Sequence, residues 1–222
     1  MRRLIERWTS SGYDEFAAAI DRRRRRRVLI VPPLFAEMNR LRRLTARTMR
    51  ALDAHGIDTF APDLPGTNES TAPLHAQSLH TWRSAMERAA RHFAATHVLA
   101  LRGGALIFPN TLPGWVLEPV SGAAILRQMV RARVLAARER GEHEDTAALI
   151  EQGRNEGLVL AGYDIGPGLI AGLESARPLD EGQRQINQSD LGGGALWVRA
   201  EPGDDPAQAT RLADLIAAGS FA

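Results

Sequence analysis

The chain has 222 residues, of which 44% are apolar, so it can build one medium-sized domain or two small ones around a substantial core. No apolar run approaches the roughly 18 residues that span a bilayer, and the arginine-rich start lacks the apolar segment of a secretory signal. Cysteine is absent, which excludes disulfides, thiolate catalysis and cysteine-ligated metal sites. We therefore predict a cytoplasmic protein without a transmembrane segment.

The charge is unusual in kind and in distribution. All 28 basic residues are Arg and the net charge is +2, but residues 1–50 hold 14 Arg against 5 acidic residues. Six consecutive arginines run from Arg22 to Arg27, and we call them the arginine block. Clustered Arg can bind the phosphates of nucleic acid or an anionic surface. We favour a solvated connector instead, because no aromatic residue interleaves the block to stack on bases. Binding of nucleic acid or an anionic surface through Arg22–Arg27 is the last-ranked alternative function.

Hydrophobic periodicity predicts alternating helices and strands through the first half of the chain. In order, these are a helix over residues 13–21, a strand over 28–31, a helix over 37–55, a strand over 57–61, a helix over 79–95 capped by Ser78, and a strand over 97–101.

The second half continues the alternation. It begins with a strand over 115–120, a helix from Ser121 to about residue 140, a polar helix over 143–154 and a strand over 158–161. A helix over 168–175, a polar stretch over 180–190, a strand over 195–198 and a helix over 206–218 follow.

This order predicts an α/β protein: a three-layer αβα sandwich with about six mostly parallel strands and helices on both faces. We divide the chain into an N-terminal helix with a basic connector, residues 1–27, and a single domain over residues 28–222. A helical, cap-like segment at about 121–156 could also form an interface, so a homo-oligomer is one expectation.

Ligands of open parallel sheets bind beyond the carboxyl ends of the strands, where three loops carry informative motifs. They are PPLFAEMNRLRR at 32–43, PDLPGTNES at 62–70 and LRGGAL at 101–106. Together with EPVSGAAILRQMVRARV at 118–134, these motifs resemble the α/β-hydrolase superfamily, and specifically the proteins called exosortase A-associated hydrolase 2. The similarity covers roughly residues 28–170. It implies a shortened α/β-hydrolase-like sheet and a role beside bacterial exopolysaccharide and protein-sorting systems.

The residues expected of a serine hydrolase are incomplete. Such a fold places a serine in a G-x-S-x-G turn, followed along the chain by an acid and a histidine. Here the turn reads ALRGG, so Arg102 stands in the place of the serine, and a guanidinium cannot act as the nucleophile. No histidine follows His143, where the general base is expected. We therefore predict a catalytically degenerate, hydrolase-like protein with a binding or accessory role.

The loops at the strand ends supply candidate residues for binding an anion. Arginine and backbone amides recognise carboxylates or phosphates, so the expected ligand is an anionic small molecule or a polysaccharide- or lipid-linked group. The candidates are Arg102, Gly103, Leu34, Phe35, Glu37, Asn39, Arg43 and Asp63. The alternative, which we prefer for Arg102, is an internal ion pair with Glu37 or Asp63 that locks a retired active site.

Catalysis by another residue remains open. Ser70 could be the nucleophile of an active esterase-type hydrolase, with His75 or His80 as its base. Serine in such a loop is more often a turn residue. The two histidines are five residues apart, which does not match the i, i+4 spacing of a two-histidine metal site on a helix. We predict no metal site and no cofactor.

Overall fold

The structure of the protein is a computed structural model that describes residues 4–10, 12–179 and 182–219. The strands are β1 (Leu4–Ser10), β2 (Tyr13–Ile20), β3 (Arg27–Val31), β4 (Asp58–Pro62), β5 (His97–Leu101), β6 (Gly114–Leu117), β7 (Leu158–Leu160), β8 (Tyr163–Ile165) and β9 (Gln183–Ile186). The helices are α1 (Ala36–Arg40), α2 (Arg42–Ala54), α3 (Leu79–His92), α4 (Gly122–Glu139), α5 (Thr146–Glu156), α6 (Pro167–Ser175), α7 (Gln188–Leu191) and α8 (Pro206–Ala217).

Seven strands form one mixed sheet in the order β1-β2-β4-β3-β5-β6-β9. The strands from β4 to β9 pair in parallel, while the β1–β2 hairpin joins the edge of β4 in antiparallel fashion. Strands β7 and β8 form a separate antiparallel pair. The mainly parallel α/β architecture confirms the predicted fold class.

Two apolar clusters, one on each face of the sheet, make the core. In β5, Val98 and Ala100 pack into the cluster formed with α3, α4 and α6, while Leu99 and Leu101 pack into the cluster formed with α2 and α8. A parallel strand that is buried on both faces is expected to be apolar throughout. The central strands therefore hold the strand-end loops on a rigid three-layer frame.

Helix ends follow the sequence closely where a polar cap is present. The hydroxyl of Ser78 accepts a hydrogen bond from the backbone N–H of Thr81, and the hydroxyl of Ser121 accepts one from Ala124. Each cap satisfies an N–H that has no partner within its helix. The predicted helix over 37–55 is instead divided at Leu41 into α1 and α2.

The predicted N-terminal helix is wrong, because this segment forms the β1–β2 hairpin. Alternate residues of β2, Glu15, Ala17 and Ala19, are buried on one face, which is the period of a strand. Pairing with β4 decides this outcome, since β-structure depends on neighbours more than on local preference. The division at residues 27 and 28 stays a prediction, and residues 1–3 and 220–222 lie outside the described ranges.

The predicted C-terminal strand is wrong as well. Residues 195–198 contain a 3₁₀-helix, Leu196–Val198, and the last strand of the sheet is the polar β9. Because β9 lies at an edge and only Ile186 of it is buried, its sequence lacks the apolar pattern of an interior strand. Within the described residues, no helix combines the length and the apolar character required to span a bilayer.

Candidate functional site

The turn after β5 has a strained backbone. Arg102 adopts a φ of +54°, an uncommon conformation for a residue with a side chain, and begins the 3₁₀-helix Arg102–Ile107. Gly104 is required for packing, since a Cβ there would lie 2.6 Å from the carbonyl oxygen of Pro32. The space beside Gly103 is filled by Leu34 and Ile125. This sharp strand-to-helix turn has the form that holds a nucleophile in α/β-hydrolases, with arginine in its place.

The Arg102 guanidinium is bonded inside the protein. Its Nε donates to Glu37 Oε2 at 3.1 Å, one terminal nitrogen donates to Glu37 Oε1 at 3.2 Å, and the other donates to the carbonyl of Glu118 at 2.8 Å. The guanidinium also stacks 4.5 Å from the ring centroid of Trp197. The side chains of Arg102 and Glu37 are each 12% exposed. The predicted internal ion pair with Glu37 is confirmed.

The other proposed partner of Arg102 is engaged elsewhere. The carboxylate of Asp63 accepts a hydrogen bond from the side-chain amide of Asn68 at 2.5 Å. Burial raises the pKa of Asp63, while the Asn68 hydrogen bond and the charge of Arg42 oppose that rise. Asp63 therefore belongs to the loop after β4. It is not part of the group formed by Arg102 with Glu37, Glu118 and Trp197, which we call the Arg102 cluster.

Sequence reasoning missed Glu118 and Trp197 as site residues. Glu118 is the first residue after β6, has a φ of +43°, and accepts a hydrogen bond from the Gln188 backbone N–H at 2.6 Å. Phe35, after β3, also has a positive φ, so three adjacent strand ends carry strained residues with side chains. Such strain clusters at functional sites. The position of Glu118 directly after a strand was a usable signal, but nothing local pointed to Trp197.

A small cavity lies next to the Arg102 turn. The cavity beside it has a volume of about 80 Å³ and is lined in part by Phe35, Glu37 and Met129. Small-molecule sites usually have roughly 300–1,000 Å³, so this cavity is small for a ligand. The ring of Phe35 also contacts that of Tyr163 edge to face, with the two centroids 5.3 Å apart. Of the predicted ligand-binding residues, Arg102, Gly103, Leu34, Phe35 and Glu37 therefore lie together at this turn.

Ser70 and the two histidines proposed as its base are not joined. The Ser70 hydroxyl oxygen accepts hydrogen bonds from the backbone N–H groups of Gly66 and Ala72. His75 bonds to Asp164 at 3.1 Å, and His80 is exposed on α3. No hydrogen bond links Ser70 to either histidine in the described part of the chain. The contacts of Ser70 are those of a turn residue, and its catalytic role stays a prediction.

A buried acid beneath the Ser70 loop also escaped sequence reasoning. Glu15, on the core face of β2, is fully buried. Neither carboxyl oxygen has a hydrogen-bond partner of normal geometry among the described residues. Burial raises the pKa of Glu15, while the nearby Ser70 hydroxyl lowers it by a smaller amount. A protonated Glu15 suits this environment, because an isolated buried carboxylate is costly.

A larger cavity lies outside the Arg102 cluster. It is an open groove of about 940 Å³ between α2 and the β1–β2 hairpin, at the carboxyl ends of β3 and β4, and we call it the α2 groove. Its lining includes Arg42, Arg43, Arg47 and Arg50, with the predicted Arg43 and Asp63 among its residues. The predicted Asn39 is exposed on α1 and lines neither cavity.

The arginine block is largely engaged in internal bonds. Arg24 and Arg27 both form ion pairs with Asp58, whose side chain is 0% exposed, and Arg22 and Arg24 pair with Asp53. The Arg24 backbone N–H also donates to Asp58 at 2.8 Å. The block therefore connects β2 to β3 while neutralising acidic groups at the amino ends of the strands. It is less solvated than we expected.

Similarity to known proteins is confined to the fold. No family model and no curated protein matches the chain. Among solved structures, Est1E from Butyrivibrio proteoclasticus, determined with ferulic acid bound, has a TM-score of 0.55 at 12% identity, with coverage of 82% of this chain and 77% of that protein.

Other matches are shorter and looser. Epoxide hydrolase A from Mycobacterium thermoresistibile gives a TM-score of 0.43 at 16% identity, and a putative hydrolase from Agrobacterium vitis S4 gives 0.44 at 12%. The matches cover 51% and 61% of this chain, and this chain spans only 38% and 61% of those two proteins.

Within residues 4–10, 12–179 and 182–219, no group of three or more His, Asp or Glu side chains could hold a metal ion.

The mainly parallel seven-stranded sheet, the sharp turn after β5 and the likeness to Est1E all support one architecture. The chain has the α/β-hydrolase fold.

Proposed function

We propose that the chain is a catalytically inactive protein of the α/β-hydrolase fold that acts as a binding or accessory factor. The resemblance of its loop motifs to exosortase A-associated hydrolase 2 proteins suggests bacterial exopolysaccharide and protein-sorting systems as its setting. The observation that carries the proposal is the internal pairing of Arg102. At the turn where a serine nucleophile is expected, a guanidinium is bonded to Glu37 and Glu118 and stacked on Trp197.

The rest of the triad supports the same proposal. The segment after the last strand, which should supply the general base, contributes Trp197 to the Arg102 cluster and has no histidine. A tryptophan N–H can donate a hydrogen bond but cannot accept a proton. Acyl transfer of the serine–histidine type therefore has neither its nucleophile nor its base at this turn.

Hydrolysis of p-nitrophenyl butyrate tests the proposal. We expect the purified wild-type protein to give no turnover above buffer and no labelling by a fluorophosphonate that reacts with activated serines. The variant Arg102→Ser should also be inactive, because no histidine is placed to activate the new hydroxyl. Turnover by the wild-type protein that Ser70→Ala abolishes would overturn the proposal and establish the esterase alternative.

The accessory role needs a separate measurement. In a bacterial strain lacking this gene, exopolysaccharide secretion should fall, and both the wild-type protein and Ser70→Ala should restore it equally. Failure of Ser70→Ala to restore secretion, at normal protein levels, would indicate that the role depends on catalysis. Unchanged secretion in the deletion strain would argue against the exopolysaccharide setting.

A further inference from the structure

The α2 groove combines a cationic wall with an apolar floor. Arg43, Ala46, Arg47 and Arg50 follow the helical i, i+3, i+4 spacing, so they lie on one face of α2. The opposite wall comes from the β1–β2 hairpin, with Phe16 and Ala18 and the 74% exposed Ile5, and Pro32, Pro33 and Pro62 add further apolar surface.

Three of the four arginines make no hydrogen bond or ion pair with other described residues. Arg47 binds Asp204 through two hydrogen bonds, whereas Arg42, Arg43 and Arg50 are exposed and form no such bond. The charged groups that line the groove are Arg42, Arg43, Arg47, Arg50, Asp63, Glu69 and Asp204. Asp204 is therefore already bonded to Arg47. The three remaining arginines outnumber the two remaining acids, Asp63 and Glu69.

Two of these arginines also lie at the unfavourable end of their helix. Arg42 and Arg43 are the first residues of α2, and its first turn contains no acidic residue. The amino end of a helix carries partial positive charge, so cations there are destabilising and an anion is favoured. The carboxyl end of α1 directly precedes this turn and offsets part of the helix contribution, so the attraction for an anion comes mainly from the guanidinium groups.

We propose that the α2 groove binds a phosphate monoester that carries an apolar chain, with the phosphate between Arg42, Arg43 and Arg50 and the chain along Ile5 and Phe16. A phosphate offers three acceptor oxygens and up to two negative charges, which suits several guanidinium groups from successive helical turns. The groove volume of about 940 Å³ is within the range of small-molecule sites. The site deepens the proposed binding role and rests on it, and it lies apart from the Arg102 cluster.

Calorimetric titration with octyl phosphate, inorganic phosphate and octanol tests the two halves of the groove. We expect saturable one-to-one binding of octyl phosphate, at least about tenfold tighter than inorganic phosphate, because burial of two methylene groups has that effect. Octanol should bind far more weakly. Equal affinity for octyl phosphate and inorganic phosphate would overturn the apolar half of the proposal, and no binding of octyl phosphate would overturn all of it.

Paired variants locate the phosphate. Arg42→Ala with Arg43→Ala should weaken octyl phosphate binding at least about tenfold, since hydrogen bonds to charged groups are lost. The control, Arg127→Ala with Arg131→Ala, removes the same charge from an exposed face of α4 and should leave affinity unchanged. An equal loss in both pairs, or none in the first, would contradict the proposal.

A further variant and a vesicle assay distinguish binding in the groove from attraction to a charged surface. Ala46→Glu places a carboxylate among the arginines and should abolish binding at an unchanged melting temperature; if this variant fails to fold, the arginine pairs decide alone. Attachment to vesicles of phosphatidylcholine and phosphatidic acid without binding of octyl phosphate would mean surface attraction and overturn the groove site. Hydrolysis of p-nitrophenyl butyrate would overturn the proposed catalytic inactivity but not the groove site. An equal loss of octyl phosphate binding in both arginine-pair variants would overturn the groove site but not the proposed inactivity.

Discussion

The pairing of Arg102 with Glu37 should be among the strongest side-chain interactions in the chain. We expect Arg102→Ala to lower the free energy of unfolding by about 3 kcal/mol, because it leaves a mostly buried carboxylate without its partner. Both side chains are only 12% exposed and the pair has two hydrogen bonds. The variant Arg102→Gly should lower the free energy of unfolding by about 1 kcal/mol less than Arg102→Ala, since glycine adopts the φ of +54° without strain.

A double-mutant cycle measured by urea denaturation isolates the interaction. With Arg102→Ala and Glu37→Ala, singly and together, we expect a coupling energy of about 2 kcal/mol. The matched control is the pair Arg154–Glu174, which has two hydrogen bonds at 2.9 and 2.7 Å but side chains that are 54% and 28% exposed. Its coupling should not exceed about 1 kcal/mol. A coupling energy no larger at Arg102 than at this surface pair would refute our account of the locked turn.

Three further predictions concern stability. Asp58→Ala should lower the free energy of unfolding, measured by urea denaturation, by about 3–5 kcal/mol, because it leaves Arg24 and Arg27 without their buried acid. The control Arg25→Ala, at an exposed position of the same block, should lower it by less than about 0.5 kcal/mol. Burial raises the pKa of Glu15 in the folded state above its usual 4.5, so its contribution to stability is lost as the pH rises above 4.5. The free energy of unfolding of the wild-type protein should fall by at most about 1.4 kcal/mol per pH unit, and Glu15→Gln should remove that slope. An equal slope in both proteins would show that Glu15 is not its source. Gly104→Ala should lower the melting temperature, since its Cβ would collide with a backbone oxygen 2.6 Å away, while Gly168→Ala, whose Cβ would lie 3.9 Å from its nearest neighbour, should not.

The sequence alone determined the central strands, the helix caps and the residue at the strand-to-helix turn. Strand β5 has the bounds that its sequence predicts, because an interior parallel strand must be apolar on both faces. Ser78 and Ser121 can be identified as caps because a hydroxyl before an amphipathic run satisfies a local N–H. Arg102 can be recognised because its neighbours in the sequence define the turn.

The tertiary structure decided everything that depends on distant neighbours. The β1–β2 hairpin forms because β4 offers an edge with which β2 can pair, although the local spacing of Phe16, Ala17 and Ile20 also suits a helix. The binding candidates proposed from the strand-end loops separated into two places, since Arg102 is enclosed by Glu37 and Trp197 while Arg43 lines the α2 groove.

The arginine residues also show what the sequence alone does not determine. Composition and spacing showed where the arginines lie in the chain but not which acid each one contacts. Arg24 and Arg27 neutralise Asp58, which lies more than 30 residues later, whereas Arg42 and Arg43 form no such bond with any residue that the structure describes. A charge acts through space and its strength depends on burial and distance. The sequence therefore determined the local pattern, and only the folded chain decided which charges are enclosed and which are exposed.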